Sequence, residues 1–339
     1  MLEVLVAAVI LISLILYGIM GGADFGGGMW DLLATGPRRH RQREAISDAI
    51  APIWEANHVW LILVIVLLFT GFPRAFSVMM MALHIPLSAM LIGIVFRGST
   101  FVFRKYDSHD DAVQRRWSTV FGIASFFTPF FQGLTLGALA TGRIRYIDGR
   151  LLTGFFTGWL SPFAMSCGFF ALALFAFLAA TFLTVDTQED PPLQNDFRLR
   201  ALWAEAALIP LAAIVFFTSR QGASAMYAGL TNWWAPLLLA WTGLCAAMAI
   251  GSLWFRRFRL ARVAAVGQVA FILGGWGLAQ FPNFVTPDIT VFNSAAPEAT
   301  LRLLLIALGI GSIILFPSLV YLFWLFKRNP ISPNEHEVP

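Results

Sequence analysis

Residues 1–30 read MLEVLVAAVILISLILYGIMGGADFGGGMW: an apolar run of about twenty residues leads into five glycines that surround one carboxylate, Asp24. A glycine-rich turn after an apolar segment can cradle a phosphate, but the stretch has no G-x-G-x-x-G spacing and no lysine follows it. The apolar run is long enough to cross a bilayer core. It reads as a membrane helix whose end packs closely against other helices, where glycine permits near approach of backbones and a carboxylate is kept for work. Glu3 stands where a signal peptide would carry basic residues and no A-x-A site follows, so this segment reads as a retained first helix.

The rest of the chain agrees with that reading. Of its 339 residues 58% are hydrophobic and 12% are charged, against roughly a quarter charged in soluble domains. The expected fold is therefore an all-α polytopic membrane protein, residues 1–339 forming a single integral membrane domain. Apolar windows predict nine transmembrane helices near 3–22, 51–71, 77–97, 117–141, 155–184, 199–217, 233–254, 261–281 and 301–326. Residues 3–141 would form a first four-helix bundle and 155–281 a second, with 301–326 as a peripheral ninth helix.

Charge placement sets the orientation. Seventeen of the 23 basic residues fall on the side reached after odd-numbered spans. The excess of basic residues inside then puts the N-terminus outside and the C-terminus in the cytoplasm. The arginines lie in short loops rather than on one patch, so the net charge of +4 does not point to nucleic acid. Cys167 and Cys245 sit in apolar segments and suggest neither a disulfide framework nor a metal motif.

Ionisable groups inside a bilayer are costly and mark function by default. The densest group is EAISDAIAPIWEANHVWL, residues 44–61. On one continuous helix Asp48 and Glu55 would share a face, and Glu55 and His58 would be neighbours. Trp54, Asn57 and Trp60 accompany them, and Asp24 would enter from the same cytoplasmic side. Carboxylates and histidine at such spacing are suited to passing protons, although a helix-start Asp48 and a hydrogen-bonded core His58 are the plainer readings. His84 is a weak haem-ligand candidate without a second ligand signal. Arg97 would pair with a carboxylate or snorkel to the interface, as would Arg104. Glu205 lies within the sixth window, suited to a pathway or to partner contact.

The blocks GGADFGGGM, IAPIWEANHVWL, FTGFPRAF and FRGSTFVFR, in this order and spacing, resemble subunit II of the cytochrome bd quinol oxidases. The late loop FPNFVTPDITVFNSAAPEATLR resembles the cyanide-insensitive branch. The resemblance implies an enzyme subunit, part of an electrogenic quinol:oxygen oxidoreductase of the bacterial inner membrane. Its partner, subunit I, would hold haem b558, haem b595 and haem d, and would oxidise quinol and reduce dioxygen to water. This chain would firmly bind no cofactor itself, though some members hold a structural quinone, and a small single-helix accessory subunit and membrane lipid would join the assembly. The family's proton-path carboxylates fall on Asp24 and Glu55, with Trp54 beside them. Gly21 replaces an acidic residue common in the family, Glu55 stands where some members have Asp, and His58 where some have Gln. A secondary transporter with an intramembrane carboxylate site is the alternative class, though the chain lacks the inverted repeats typical of one. A cytochrome carrying its own haem is a third.

Overall fold

The computed structural model describes the backbone of residues 1–50, 54–106 and 111–328, and side chains except at 54–55, 101–106, 111–115 and 322–328. In chain order the elements are α1 (Leu2–Leu32), α2 (Arg39–Ile50), α3 (Trp54–Gly71), α4 (Pro73–Ala82), α5 (His84–Tyr106) and α6 (Asp111–Ala140). The hairpin β1 (Tyr146–Ile147) and β2 (Arg150–Leu151) follows, then α7 (Pro162–Asp186), α8 (Pro191–Gly222), α9 (Ser224–Leu230), α10 (Ala235–Trp254) and α11 (Phe258–Gln280). A second hairpin, β3 (Asn283–Val285) with β4 (Ile289–Thr290), precedes α12 (Glu298–Arg328). Seven helices among the described residues are long and apolar enough to cross a membrane, and the pair α3–α4 would make an eighth.

Two sequence expectations change. The helix that begins at residue 2 does not end near residue 22 but runs through the glycines to Leu32. In lipid the unmet backbone groups of a break would cost several kcal/mol each, so glycine in a membrane helix is better kept helical than unwound. The third apolar window, 77–97, is not one helix either. The chain bends by 116° between α3 and α4, Pro73 starts α4, and Leu83 separates α4 from α5. Elsewhere helix starts follow local chemistry. Ser161 accepts from the Ala164 amide at 3.1 Å and Asp190 from Leu193 at 3.3 Å, each followed by a proline whose missing N–H suits a first turn.

α1 is the central element, packed against α3, α6, α7, α11 and α12. One apolar cluster joins Val6 and Ile10 of α1 to Leu67, Phe72, Leu134 and the β3–β4 loop. Another joins Tyr17 and Phe25 to Phe177, Leu178, Ala204 and Ala265. The two ends of the bundle are closed by polar contacts. At one end Arg145 grips Asp288 at 2.9 Å and the Tyr146 amide donates to the same carboxylate at 2.8 Å. Burial alone would raise the Asp288 pKa, but these donors hold it below the usual carboxylate value. At the other end α2 is tied to α8: Arg38 makes two bonds to Asp196, 2.8 and 2.6 Å, Arg41 pairs with Asp190, and Gln42 bridges Asp196 and Arg200.

Candidate functional site

The polar centre of the molecule is built on the glycine stretch. Asp24 is 1% exposed and Arg97 of α5 is 2% exposed. Arg97 donates through Nη1 to Asp24 Oδ2 at 2.7 Å and through Nη2 to Oδ1 at 2.5 Å. Nη2 also reaches the Asp24 main-chain carbonyl at 2.9 Å, and Nε donates to Ser125 Oγ of α6 at 3.2 Å. Asn57 of α3 adds a bond from Nδ2 to Asp24 Oδ2 at 2.6 Å. The guanidinium lies 4.8 Å from the ring centres of both Phe25 and Phe121. A planar guanidinium suits this site because it bridges a carboxylate with two parallel bonds and stacks on aromatic faces.

The glycines make room for this node. A Cβ at Gly28 would lie 2.1 Å from Ser125 Oγ, and one at Gly26 would lie 2.0 Å from the Phe175 carbonyl oxygen of α7. Any side chain at either position would push α6 or α7 away from α1, and with α6 goes Ser125. A small cavity of about 20 Å³, enough for one water, is lined by Asp24, Gly27, Ile46, Ile50, Ala179 and Asp186 among others. Asp186, at the end of α7, is part-exposed and faces Arg262 at 3.4 Å.

Of the residues singled out from sequence, the structure brings Asp24, Asn57 and Arg97 into direct contact. Asp24 is enclosed eight residues before the end of α1, not placed at a helix end that opens to the cytoplasm. His58 is half-buried, its ring edge-on to Phe25 at 6.5 Å. Trp60 donates to Met20 Sδ at 3.2 Å. Glu55 and Trp54 begin α3, and their side chains lie outside the described residues. Asp48 sits on α2 and Glu55 on α3, and residues 51–53, on which their shared face depends, lie outside the described residues. Asp48 is exposed, and partial desolvation with the neighbouring Glu44 carboxylate raises its pKa. His84 Nδ1 is 2.9 Å from the Met81 carbonyl, at the α4–α5 break, while Arg104 lies outside the described side chains.

Sequence reasoning missed Ser125, Phe25 and Phe121 as walls of the node, and the bond from Gln132 Nε2 to Tyr17 Oη at 2.6 Å. The signal available was a serine among the aromatic residues of α6. An apolar cavity of about 270 Å³ lies between α1, α6, α7 and α8, lined by residues such as Met29, Phe126, Phe169, Leu172 and Leu211. Among the described residues no three His, Cys, Asp or Glu side chains group as metal ligands.

A multi-pass membrane protein with a buried, charge-neutral polar node on its first helix is the class that fold and site define. The chain belongs to the family of cytochrome bd terminal oxidase subunit II, whose profile matches residues 2–326. It is 26% identical, over 97% of this chain and 98% of the other, to a protein of Bacillus subtilis (strain 168) provisionally assigned as a cytochrome bd menaquinol oxidase subunit II. It is 28% identical to the cytochrome bd-I ubiquinol oxidase subunit 2 of Escherichia coli (strain K12), over 59% of this chain and 52% of that one. Its fold matches a chain in the structure of the bd oxidase from Geobacillus thermodenitrificans with a TM-score of 0.82, at 22% identity, covering 97% and 99% of the two chains.

Proposed function

We propose that this chain, as subunit II of a terminal quinol oxidase of the bacterial inner membrane, supplies a cytoplasmic proton-uptake path to a haem-bearing partner. Membership of the family carries the enzymatic role and the partnership with subunit I. The alternative of a secondary transporter yields to that membership. The carrying observation for the path is the enclosed Asp24 beside a water-sized cavity that Asp186 also lines. Arg97 and Asn57 hold Asp24 with four bonds to its carboxylate and carbonyl oxygens, which suits it to be a fixed anion of the path wall. The protons themselves would pass by Glu55, with Asp48, His58 and Trp54 at its approach.

In this reading nine segments cross the membrane in two four-helix bundles with α12 at the edge. Subunit I holds haem b558, haem b595 and haem d, and a small accessory helix completes the complex. The 270 Å³ cavity has a wholly apolar wall, which fits an isoprenoid or acyl chain and not a quinone head group.

Glu55→Gln tests the path. It keeps size and hydrogen bonding but cannot titrate, so the complex should assemble with normal haem content while oxygen consumption per haem d falls about tenfold or more. Glu55→Asp should retain much of the activity. Full turnover with unchanged proton uptake in liposomes for Glu55→Gln would remove Glu55 from the path; a parallel loss of haem would make it structural.

Orientation is checked separately. With 17 of 23 basic residues on one side, a fluorescent protein fused after Pro339 should report a cytoplasmic C-terminus. A reporter active only outside the cell would reverse the topology and the direction of the path.

A further inference from the structure

A second buried carboxyl group lies away from the Asp24 node, near the middle of α8. Glu205 is 1% exposed, and Gln268 of α11 is 5% exposed. Gln268 Nε2 donates to Glu205 Oε1 at 2.9 Å. The other two atoms of the pair, Glu205 Oε2 and Gln268 Oε1, are buried acceptors with no hydrogen-bond partner among the described residues. Two orphan acceptors on one bonded pair are costly in an apolar interior, and an uncompensated carboxylate there is costlier still.

The charged and titratable groups on neighbouring elements do not relieve it. Among the described residues these are Cys167 and Asp186 on α7, Tyr227 on α9, Cys245 on α10, and Arg259 and Arg262 on α11, and none of the hydrogen bonds or ion pairs described there joins one of them to Glu205. On α8 itself Arg198 donates to the Leu253 carbonyl and Arg200 to Gln42, while Asp196 is held by Arg38. The surrounding side chains, among them Ala201, Ala204, Leu208, Ala264 and Ala265, belong to an apolar cluster.

We infer that Glu205 and Gln268 form a proton-binding site, in which a proton on Glu205 Oε2 is donated to Gln268 Oε1 and closes a neutral acid–amide pair between α8 and α11. One proton satisfies both orphan acceptors and removes the buried charge in a single step. A bound sodium ion would also neutralise the site, but two oxygens are few for a hard cation that takes about six. The site is independent of the Asp24 node, which uses α1, α3, α5 and α6.

The test is infrared spectroscopy of the purified complex in sodium-free and sodium-containing buffer. A neutral carboxylic acid has a carbonyl stretch apart from the carboxylate and amide bands, and it shifts on exchange into heavy water. The wild-type minus Glu205→Gln difference should show one such band, present across the neutral pH range and indifferent to sodium. Gln268→Leu removes the acceptor and should move the same band to higher frequency, so the site stays testable if Glu205→Gln fails to assemble. Absence of an acid band from the difference spectrum would show an ionised Glu205, and an acid band that does not shift in Gln268→Leu would show a protonated Glu205 that shares no proton with Gln268; either result overturns the assignment. A band seen only without sodium would replace the proton with a cation.

Discussion

Arg97→Gln should largely abolish the assembled complex, whereas Asp24→Asn combined with Arg97→Gln should restore it. The single substitution removes the guanidinium from a carboxylate that is 1% exposed and leaves it only the Asn57 amide. Stranding one member of a buried ion pair costs about 3–5 kcal/mol, because the remaining charge keeps its desolvation penalty and loses its compensation. That is roughly two to four orders of magnitude in folded population, measurable as haem d per milligram of membrane and as thermal stability of what remains. Replacing both members by amides removes both charges and keeps hydrogen-bonding groups in place, so haem content should return to near wild type. Turnover in the double variant should stay low if Asp24 is the fixed anion of the proton path. A double variant as poorly assembled as Arg97→Gln would show that the guanidinium matters for its stacking on Phe25 and Phe121 and not for neutralising Asp24.

The second large effect belongs to Gly26. A methyl group there would sit 2.0 Å from the Phe175 carbonyl oxygen, 2.6 Å from its carbon and 2.7 Å from Ala179 Cβ. Two of those atoms are backbone, so no rotamer change clears the space and α7 must move from α1. Overpacking of a core against movable side chains typically costs 1–3 kcal/mol, and a clash with backbone should exceed that range. Gly21→Ala is the comparison on the same helix, since its Cβ would meet only side chains of α1 itself, the Tyr17 ring at 3.3 Å and the Phe25 ring at 3.7 Å. The expected result is a stable complex with Gly21→Ala and a strongly destabilised one with Gly26→Ala. Equal melting temperatures for the two would mean that α1 and α7 do not approach as closely as described.

These two sites show where sequence reading reached its limit. Long apolar windows marked the seven helices long and apolar enough to cross a membrane, because length and hydropathy are local properties. The extension of α1 through its glycines went unread, since glycine is a breaker in water but not in a packed membrane helix. The break at Leu83 and the separate α4 went unread because α4 is apolar enough to merge with α5 in a sliding window. Asp24 and Asn57 were singled out as costly polar groups, and Arg97 as a carboxylate's partner. Their mutual contact is set by the packing of four helices and has no local signature. The same holds for Glu205 and Gln268, 63 residues apart.

The ion pair also has a history within each molecule's synthesis. Asp24 leaves the ribosome 73 residues before Arg97. At bacterial elongation rates of roughly 5–20 residues per second, about 4 to 15 seconds pass before the compensating cation exists. During that interval the first helix carries an unneutralised acid that costs about 2.5–3.5 kcal/mol at a bilayer centre. The nascent helix therefore has reason to linger at the insertion machinery, or to keep its glycine-rich end near the headgroups, until α5 arrives. Burial of α1 in lipid is therefore least costly once α5 has been made and Arg97 can meet Asp24.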